Sequence, residues 1–418
     1  MNDELEVWLD DELVATQQVR VGTLSRSVAR GKEAVRFCYA SEWLARKRGS
    51  FAIDPELPLT PGDFHPRMGC TLHGAFRDSA PDRWGRILME RRESEQARVH
   101  GRRPCRLSDW DFLLGVSDAA RMGGLRLFDP QASRWVDDST PGIPASARLR
   151  ELEAAARAID AHGAHALPQY AEWLRLLIVP GSSLGGARPK ASFLDEDGSL
   201  WLAKFPSEDD RHDVGAAEFL AHELALAVGV DVPAAKLARL SRGHHTFCVQ
   251  RFDRTRSSRR MYASAMTLLQ RNDGDFASYL EIAEALQRAG DAQALANDLR
   301  QLYRRIAFSI AIGNRDDHLR NHGFLHGKSG WRLAPAFDLN PSPDKREHAL
   351  AIDASDPRPD LGNLRSTASL YRIGAAEATR IEAEVRAAVG TWTTIAARIG
   401  ISASDREVLA TVLEPDPN

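Results

Sequence analysis

Residues 314–338 constrain this chain more than any other stretch. They read Asn314-Arg-Asp-Asp-His-Leu-Arg-Asn321, then Gly323-Phe-Leu, and close on Pro335-Ala-Phe-Asp338. Ahead of them Leu299, Leu302, Ile306 and Ile310 recur at helical spacing, which predicts a helix over 298–312. Behind the polar run, 322–338 reads as a hairpin. A helix therefore delivers the chain into a polar loop, and a hairpin carries it out to a second acid.

An acid, an amide five positions on and a second acid beyond a hairpin form the polar set of phosphoryl transfer. One Asp receives the proton of the substrate hydroxyl, while the Asn and the other Asp hold Mg2+ on the ATP phosphates. Asp316 has the required spacing to Asn321 and Asp317 does not, so Asp316 is the candidate base. Asn321 and Asp338 supply oxygen ligands suited to a hard cation. Asp338, which follows Phe337 at a strand end, resembles the aspartate of the kinase Asp-Phe-Gly motif, but Leu339 comes next and no glycine stands beside it. His318, two residues after the base, reads as a group that orients the loop. Taken alone, adjacent acids more often mark a solvated turn.

Upstream, Lys190-Ala-Ser-Phe-Leu predicts a strand, Asp195-Glu-Asp-Gly198 a turn and Ser199–Phe205 the return strand. Lys204 ends that strand, where an ammonium can meet the α and β phosphates. Asp213 caps a helix running to about Val228, with Ala217, Leu220, Leu224 and Val228 on one face. Glu218 on this helix is the natural carboxylate to hold Lys204. The run Gly181-Ser-Ser-Leu-Gly-Gly-Ala-Arg-Pro-Lys190 precedes the hairpin, and its glycines let backbone N–H groups approach phosphate oxygens. It is not a Walker motif, because Ala187 stands where the lysine would be.

Composition excludes other classes. Of 418 residues, 43% are hydrophobic and 27% charged, and the net charge of −3 gives no global attraction to nucleic acid or membrane. No apolar run approaches the roughly 18 residues a membrane span needs. Met1-Asn-Asp-Glu4 lacks the basic-then-apolar order of a signal peptide. Cys38, Cys70, Cys105 and Cys248 are scattered without a CxxC pair. These features predict a cytoplasmic protein with free thiols.

The N-terminal part is strand-rich, with strands expected at 4–9 and 35–39, and Ser41 reads as the N-cap of a turn over 42–45. Helices are expected over 81–98, from Asp109, over 148–161 and over 168–178, and a strand over 246–252. Later helices are expected over 375–389 and 403–413. The Pro/Ser/Asp/Gly-rich stretch 129–146 marks a boundary. Eight arginines between Arg83 and Arg106, and Arg254, Arg256, Arg259 and Arg260, read either as solvated surface or as contacts to tRNA or operator DNA.

The motifs jointly resemble the HipA-like serine/threonine kinases of bacterial toxin–antitoxin systems. The matching segments are Ser183–Lys190, Leu202-Ala-Lys204-Phe, Glu218, Gln250-Arg-Phe-Asp-Arg254, Asn314–Asn321 and Pro335–Asp338. Asp78-Ser-Ala-Pro-Asp-Arg-Trp-Gly85 and Arg121-Met-Gly-Gly-Leu-Arg126 match as well. The resemblance implies an α+β, two-lobed protein-kinase-like fold. Residues 1–135 would form a β-rich N-terminal subdomain, 136–252 an ATP-binding N-lobe and 253–418 an all-helical C-lobe. It implies ATP and Mg2+ as cofactors, with ATP met by Gly185, Gly186, Ala187, Arg188, Pro189, Lys190, Lys204, Gln250, Arg251, Phe252 and His318. It makes Asp316 and Lys204 catalytic, Glu218 supporting, and Asn321 and Asp338 metal ligands. Ser183 matches the family's autophosphorylated serine, with Ser182 beside it. Expected partners are a protein substrate such as an aminoacyl-tRNA synthetase, a helix-turn-helix antitoxin, and operator DNA mainly through that antitoxin. Asp317 replaces the glycine frequent after the base. The competing expectations are a non-catalytic corepressor or scaffold for an antitoxin, and a small-molecule kinase.

Overall fold

The computed structural model describes residues 3–137, 142–179, 186 and 188–414. The chain divides into two compact units. The first comprises Met1–Glu208 with Asp253–Ala263, the second Asp209–Phe252 with Ser264–Asn418. This division cuts through the 136–252 segment expected as one lobe.

In the first unit, alternation builds a five-stranded antiparallel sheet. Along Glu4–Leu9 the side chains of Leu5, Val7 and Leu9 are buried while their neighbours face outward, as period-2 patterning requires. This strand pairs on one side with the long strand Val19–Ala29 and on the other with Leu125–Asp129. Lys32–Tyr39 and Arg134–Trp135 complete the edges. The short helix after the strand Lys32–Tyr39 begins at Ser41 itself, and the cap position is Ala40 with no side-chain cap bond. The Ser41 hydroxyl points to the Glu42 carboxylate at 3.4 Å and so does not cap, contrary to expectation.

The helix Arg83–Val99 starts where Asp82 accepts from the Gly85 N–H, and it buries Trp84, Leu88 and Met89. Asp109–Leu114 is closed by a reciprocal capping box between Ser108 and Asp111. Arg121 is fully buried beneath these helices and donates to the carbonyls of Ser79, Leu113 and Val116. After the helices Leu149–Asp160 and Tyr170–Ile178 comes the expected hairpin, Lys190–Leu194 against Leu200–Lys204. Many of the arginines are ion-paired within the chain, most of them at its surface. Arg86, Arg91, Arg98 and Arg102 meet Asp109, Asp160, Glu95 and Glu93, and Arg259 meets Asp118.

In the second unit, Asp213 caps the helix Val214–Ala227 by accepting from Ala216 N, and it also takes the His245 ring at 2.5 Å. The helix is buried on more than its expected face, with Ala216, Ala221 and Ala225 inside as well as Leu220 and Leu224. A side chain at Gly215 would meet the His245 carbonyl at 2.2 Å, so only glycine lets the hairpin Ala235–Ala238/Thr246–Gln250 approach so closely. Beyond it lie Tyr279–Ala289, opened by a Ser278/Glu281 capping box, and Leu295–Ile312, which buries Leu299, Leu302 and Ile306. Gly313 ends the latter helix with φ 64°, a left-handed cap. The hairpin Gly323–His326/Trp331–Leu333 follows, and then the helices Ala375–Val389, Trp392–Ile399 and Ala403–Leu413. No helix among the described residues is long and apolar enough to cross a membrane. All four cysteines are free.

Candidate active site

The left-handed turn at Gly313 aims the chain out of the long helix and into Asn314–Asn321. Asn314 N bonds back to the Ser309 carbonyl at 2.9 Å. The Asn321 amide donates to the Asp316 carbonyl at 3.3 Å and its backbone N–H to the His318 carbonyl at 2.8 Å, so the loop folds onto itself around His318. Asn321 is buried, whereas the Asp316 side chain is 59% exposed and ion-paired with Lys345. That is the disposition a base needs in order to meet an incoming hydroxyl.

Asp317 behaves oppositely. It is buried, accepts from the Tyr279 hydroxyl at 2.8 Å and the Ser309 hydroxyl at 3.3 Å, and lies 3.0 Å from His322 Nε2. Burial pushes its carboxyl up, but the His322 ring and the Tyr279 hydroxyl outweigh that and hold it below the ordinary range. Burial, with the Asp317 charge, raises Tyr279 well above its usual value, so its hydroxyl stays a donor.

Asp338 follows the hairpin with φ 58°, a left-handed conformation that costs a residue with a Cβ on the order of 1 kcal/mol. Its carboxylate accepts from the Asn340 amide at 3.2 Å, and Asn340 N donates to Asn314 Oδ1 at 3.4 Å. Phe337 packs on Phe252 with the rings tilted by 31° and their centroids 5.3 Å apart, which sets Gln250–Phe252 beside the residue preceding Asp338. The second unit thus gathers Asp316, His318, Asn321 and Asp338, with Gln250, Arg251 and Phe252 linked to them through the Phe252–Phe337 ring contact. Glu218 is buried in the helix Val214–Ala227 of the same unit.

The first unit holds the remaining expected residues. Lys204 ends its strand, 9% exposed, directly opposite Lys190 in the hairpin register. Like charges opposite one another repel, and the Lys190 ammonium turns to Asp82 at 2.7 Å and to the Gly186 carbonyl at 3.0 Å. Trp84 donates to the Lys190 carbonyl at 3.1 Å, and Arg188 to the Phe205 carbonyl at 3.2 Å. Phe205 N bonds the Pro189 carbonyl at 2.8 Å. Ser182, Ser183, Gly185 and Ala187 lie outside the described residues. Sequence reasoning did not single out Asp82, Tyr279, Asn340 or Lys345. Only Asp82 carried a signal, as a cap residue just before a helical pattern.

Comparison with known proteins gives the family and the fold. The HipA-like C-terminal domain matches residues 182–393, more than half of the chain, and the HipA N-terminal domain matches residues 12–119. The chain belongs to the HipA family. Among solved structures, this HipA-family chain is similar to that of a HipA–HipB–operator DNA complex of a toxin–antitoxin system from Shewanella oneidensis MR-1. The TM-score is 0.64 and the identity 15%, over 98% of this chain and 95% of that one, a likeness of fold. A Haemophilus influenzae protein named “Putative kinase” is 26% identical over 182 residues, 38% of this chain and 52% of that protein. “Putative kinase Y4mE” of Sinorhizobium fredii is 26% identical over 214 residues, 44% of this chain and 46% of that protein. The chain spans about half the length of these relatives.

Proposed function

We propose that this HipA-family chain is an ATP- and Mg2+-dependent serine/threonine protein kinase acting as the toxin of a toxin–antitoxin pair. The observation that carries this reading is the joined acid–amide–acid set: Asp316 exposed, Asn321 bonded to its backbone, and Asp338 held in a left-handed turn tied to the same loop through Asn340 and Asn314. Asn321 and Asp338 present oxygen donors, which fit a hard divalent cation. Bound there, Mg2+ would neutralise charge on the ATP phosphates.

Each residue then has a task. Asp316 accepts the hydroxyl proton. Lys204 carries the ammonium assigned to the α and β phosphates, and Glu218 the carboxylate assigned to hold it. Backbone from Gly185 to Lys190 is assigned to the phosphates, and backbone at Gln250–Phe252 to adenine. Phosphorylation of Ser183 or Ser182 would place a near-dianion where the ATP phosphates must bind and shut the enzyme off. The solved HipA–HipB–operator DNA neighbour supports an antitoxin and its operator as partners here, and the antitoxin proposed is of the helix-turn-helix kind. A translation protein such as an aminoacyl-tRNA synthetase is the proposed substrate.

Phosphoproteomics after brief expression of wild type and Asp316→Asn tests this. New serine or threonine phosphosites with wild type alone support the reading. If nucleotide binds and is turned over without any protein phosphosite, the activity is that of a small-molecule kinase. Absence of both leaves a non-catalytic antitoxin partner.

A further inference from the structure

The proposed base and the second acid are twenty-two positions apart in sequence, yet a run of hydrogen bonds inside the second unit joins Asp338 to Asp317, the residue next to the base. Asn340 Nδ2 donates to Asp338 at 3.2 Å, and Asn340 N donates to Asn314 Oδ1 at 3.4 Å. Asn314 Nδ2 donates to the Ser309 hydroxyl at 3.4 Å, and that hydroxyl donates to Asp317 at 3.3 Å. The run ends where the Tyr279 hydroxyl donates to the same Asp317 oxygen at 2.8 Å. Each donor meets an acceptor, so the network is consistent in polarity from end to end. Single links at 3.3–3.4 Å are weak, but the links among Asn314, Ser309, Asp317 and Tyr279 are buried, where bonds reinforce one another, and those to Asn340 are part-buried.

Asp317 is the one charged residue in the run besides Asp338, and it is buried against Tyr279, Ser309 and His322. A carboxylate taken out of water is costly unless several donors fix it, and once fixed it tolerates little displacement. It is also covalently next to Asp316, so wherever its carboxylate is pinned, the backbone of the base is pinned too.

We infer that Asp317 is a positioning residue, the buried anchor that holds the Asp316 loop and the Asp338 turn in fixed relation through Ser309, Asn314 and Asn340. The catalytic consequence rests on the proposed phosphoryl transfer at this site. The mechanical one does not. Displacement by about 1 Å of a reacting group costs up to ~10²-fold in rate, so loosening this anchor should lower kcat while leaving nucleotide affinity nearly unchanged.

The test uses the full chain with Asp317→Asn and Tyr279→Phe, and Tyr303→Phe as the control. The Tyr303 hydroxyl is also buried in the second unit, but it bonds Glu382 at 2.9 Å outside the network. Hydrogen exchange at 313–322 and 336–342 is read in all four proteins, alongside kcat and nucleotide Kd. The expected result is exchange several-fold faster at both segments in the Asp317 and Tyr279 variants only. With it, kcat should fall about 10- to 100-fold and Kd should change less than threefold. Exchange at 336–342 equal to wild type in both variants overturns the anchor, as does an equal rise in Tyr303→Phe. Because exchange is read independently of turnover, a wild type without phosphoryl transfer refutes the proposed activity and leaves the anchor to be judged by exchange alone.

Discussion

Lys345 sets its ammonium against the carboxylate of Asp316. The lysine lies on the segment that follows Asp338. That segment is tied to the loop, because Arg315 donates to the Lys345 carbonyl, Ala349 N to the Arg315 carbonyl and Ser342 N to the Gly313 carbonyl. A hydroxyl presented to Asp316 would therefore bring its incoming phosphoryl group close to this ammonium, where a cation stabilises developing charge.

Lys345→Met should accordingly lower kcat about tenfold or more. The pair is roughly half exposed on both sides, so it contributes at most about 1 kcal/mol to stability. Thermal unfolding should hardly move, and kinetics measured beside a melting curve separate the two effects. A rate equal to wild type would remove Lys345 from the chemistry.

Asp82 does two jobs, capping the helix Arg83–Val99 and neutralising the buried Lys190. Asp82→Ala should cost about 3–5 kcal/mol in urea unfolding, because it removes the carboxylate paired with a buried ammonium as well as a cap. Asp82→Asn keeps an acceptor for the Gly85 N–H and should cost about 1 kcal/mol less. Equal losses in the two variants would show that the cap is irrelevant.

Arg121 satisfies three carbonyls from inside the core of the first unit. Burial lowers its pKa to about 10, so it remains charged at neutral pH. Arg121→Met should destabilise by about 3 kcal/mol or more, the cost of leaving buried carbonyls unpaired. Equilibrium unfolding measures this directly, and a loss under about 1 kcal/mol would contradict the assignment.

Much of the fold was legible in the sequence and some was not, for physical reasons. The Leu299–Ile310 periodicity, the Asp195–Gly198 turn and the Asp213 cap are local signals, and each marks its element within a few residues. Asp317 reads as half of a solvated acidic pair, and only the three-dimensional approach of Tyr279 and Ser309 reverses that. Arg121 sits in a recognisable motif, but the carbonyls it serves are dispersed from Ser79 to Val116. The Ser41 cap failed because its hydroxyl found Glu42 next door. The order of the five-stranded sheet, with Leu125–Asp129 beside Glu4–Leu9, depends on pairing more than a hundred residues apart and left no local trace.

Burial depresses His73 and His348, each to about 4; for His348 the Asp317 charge opposes this and the Arg315 charge adds to it. A histidine whose folded pKa lies below its unfolded value of about 6.5 lends stability that is present above that value and lost as pH falls toward 4. Asp54, pushed up to about 6 by burial, works the other way between about 4 and 6. From these three groups the net result from pH 7 to pH 5 is a loss on the order of 2 kcal/mol. Replacing both histidines with Gln should reverse the slope and leave the Asp54 contribution. Urea unfolding at the two pH values checks it, and an unchanged slope would contradict the assignment.

The most direct test of the central claim is transfer of labelled γ-phosphate from ATP by the purified protein with Mg2+, wild type against Asp316→Asn, with nucleotide binding measured on both. A general base accounts for about 10²–10⁴-fold in rate, so label incorporation by Asp316→Asn should fall by that factor while its ATP affinity stays close to wild type. Transfer by Asp316→Asn at the wild-type rate would contradict the account.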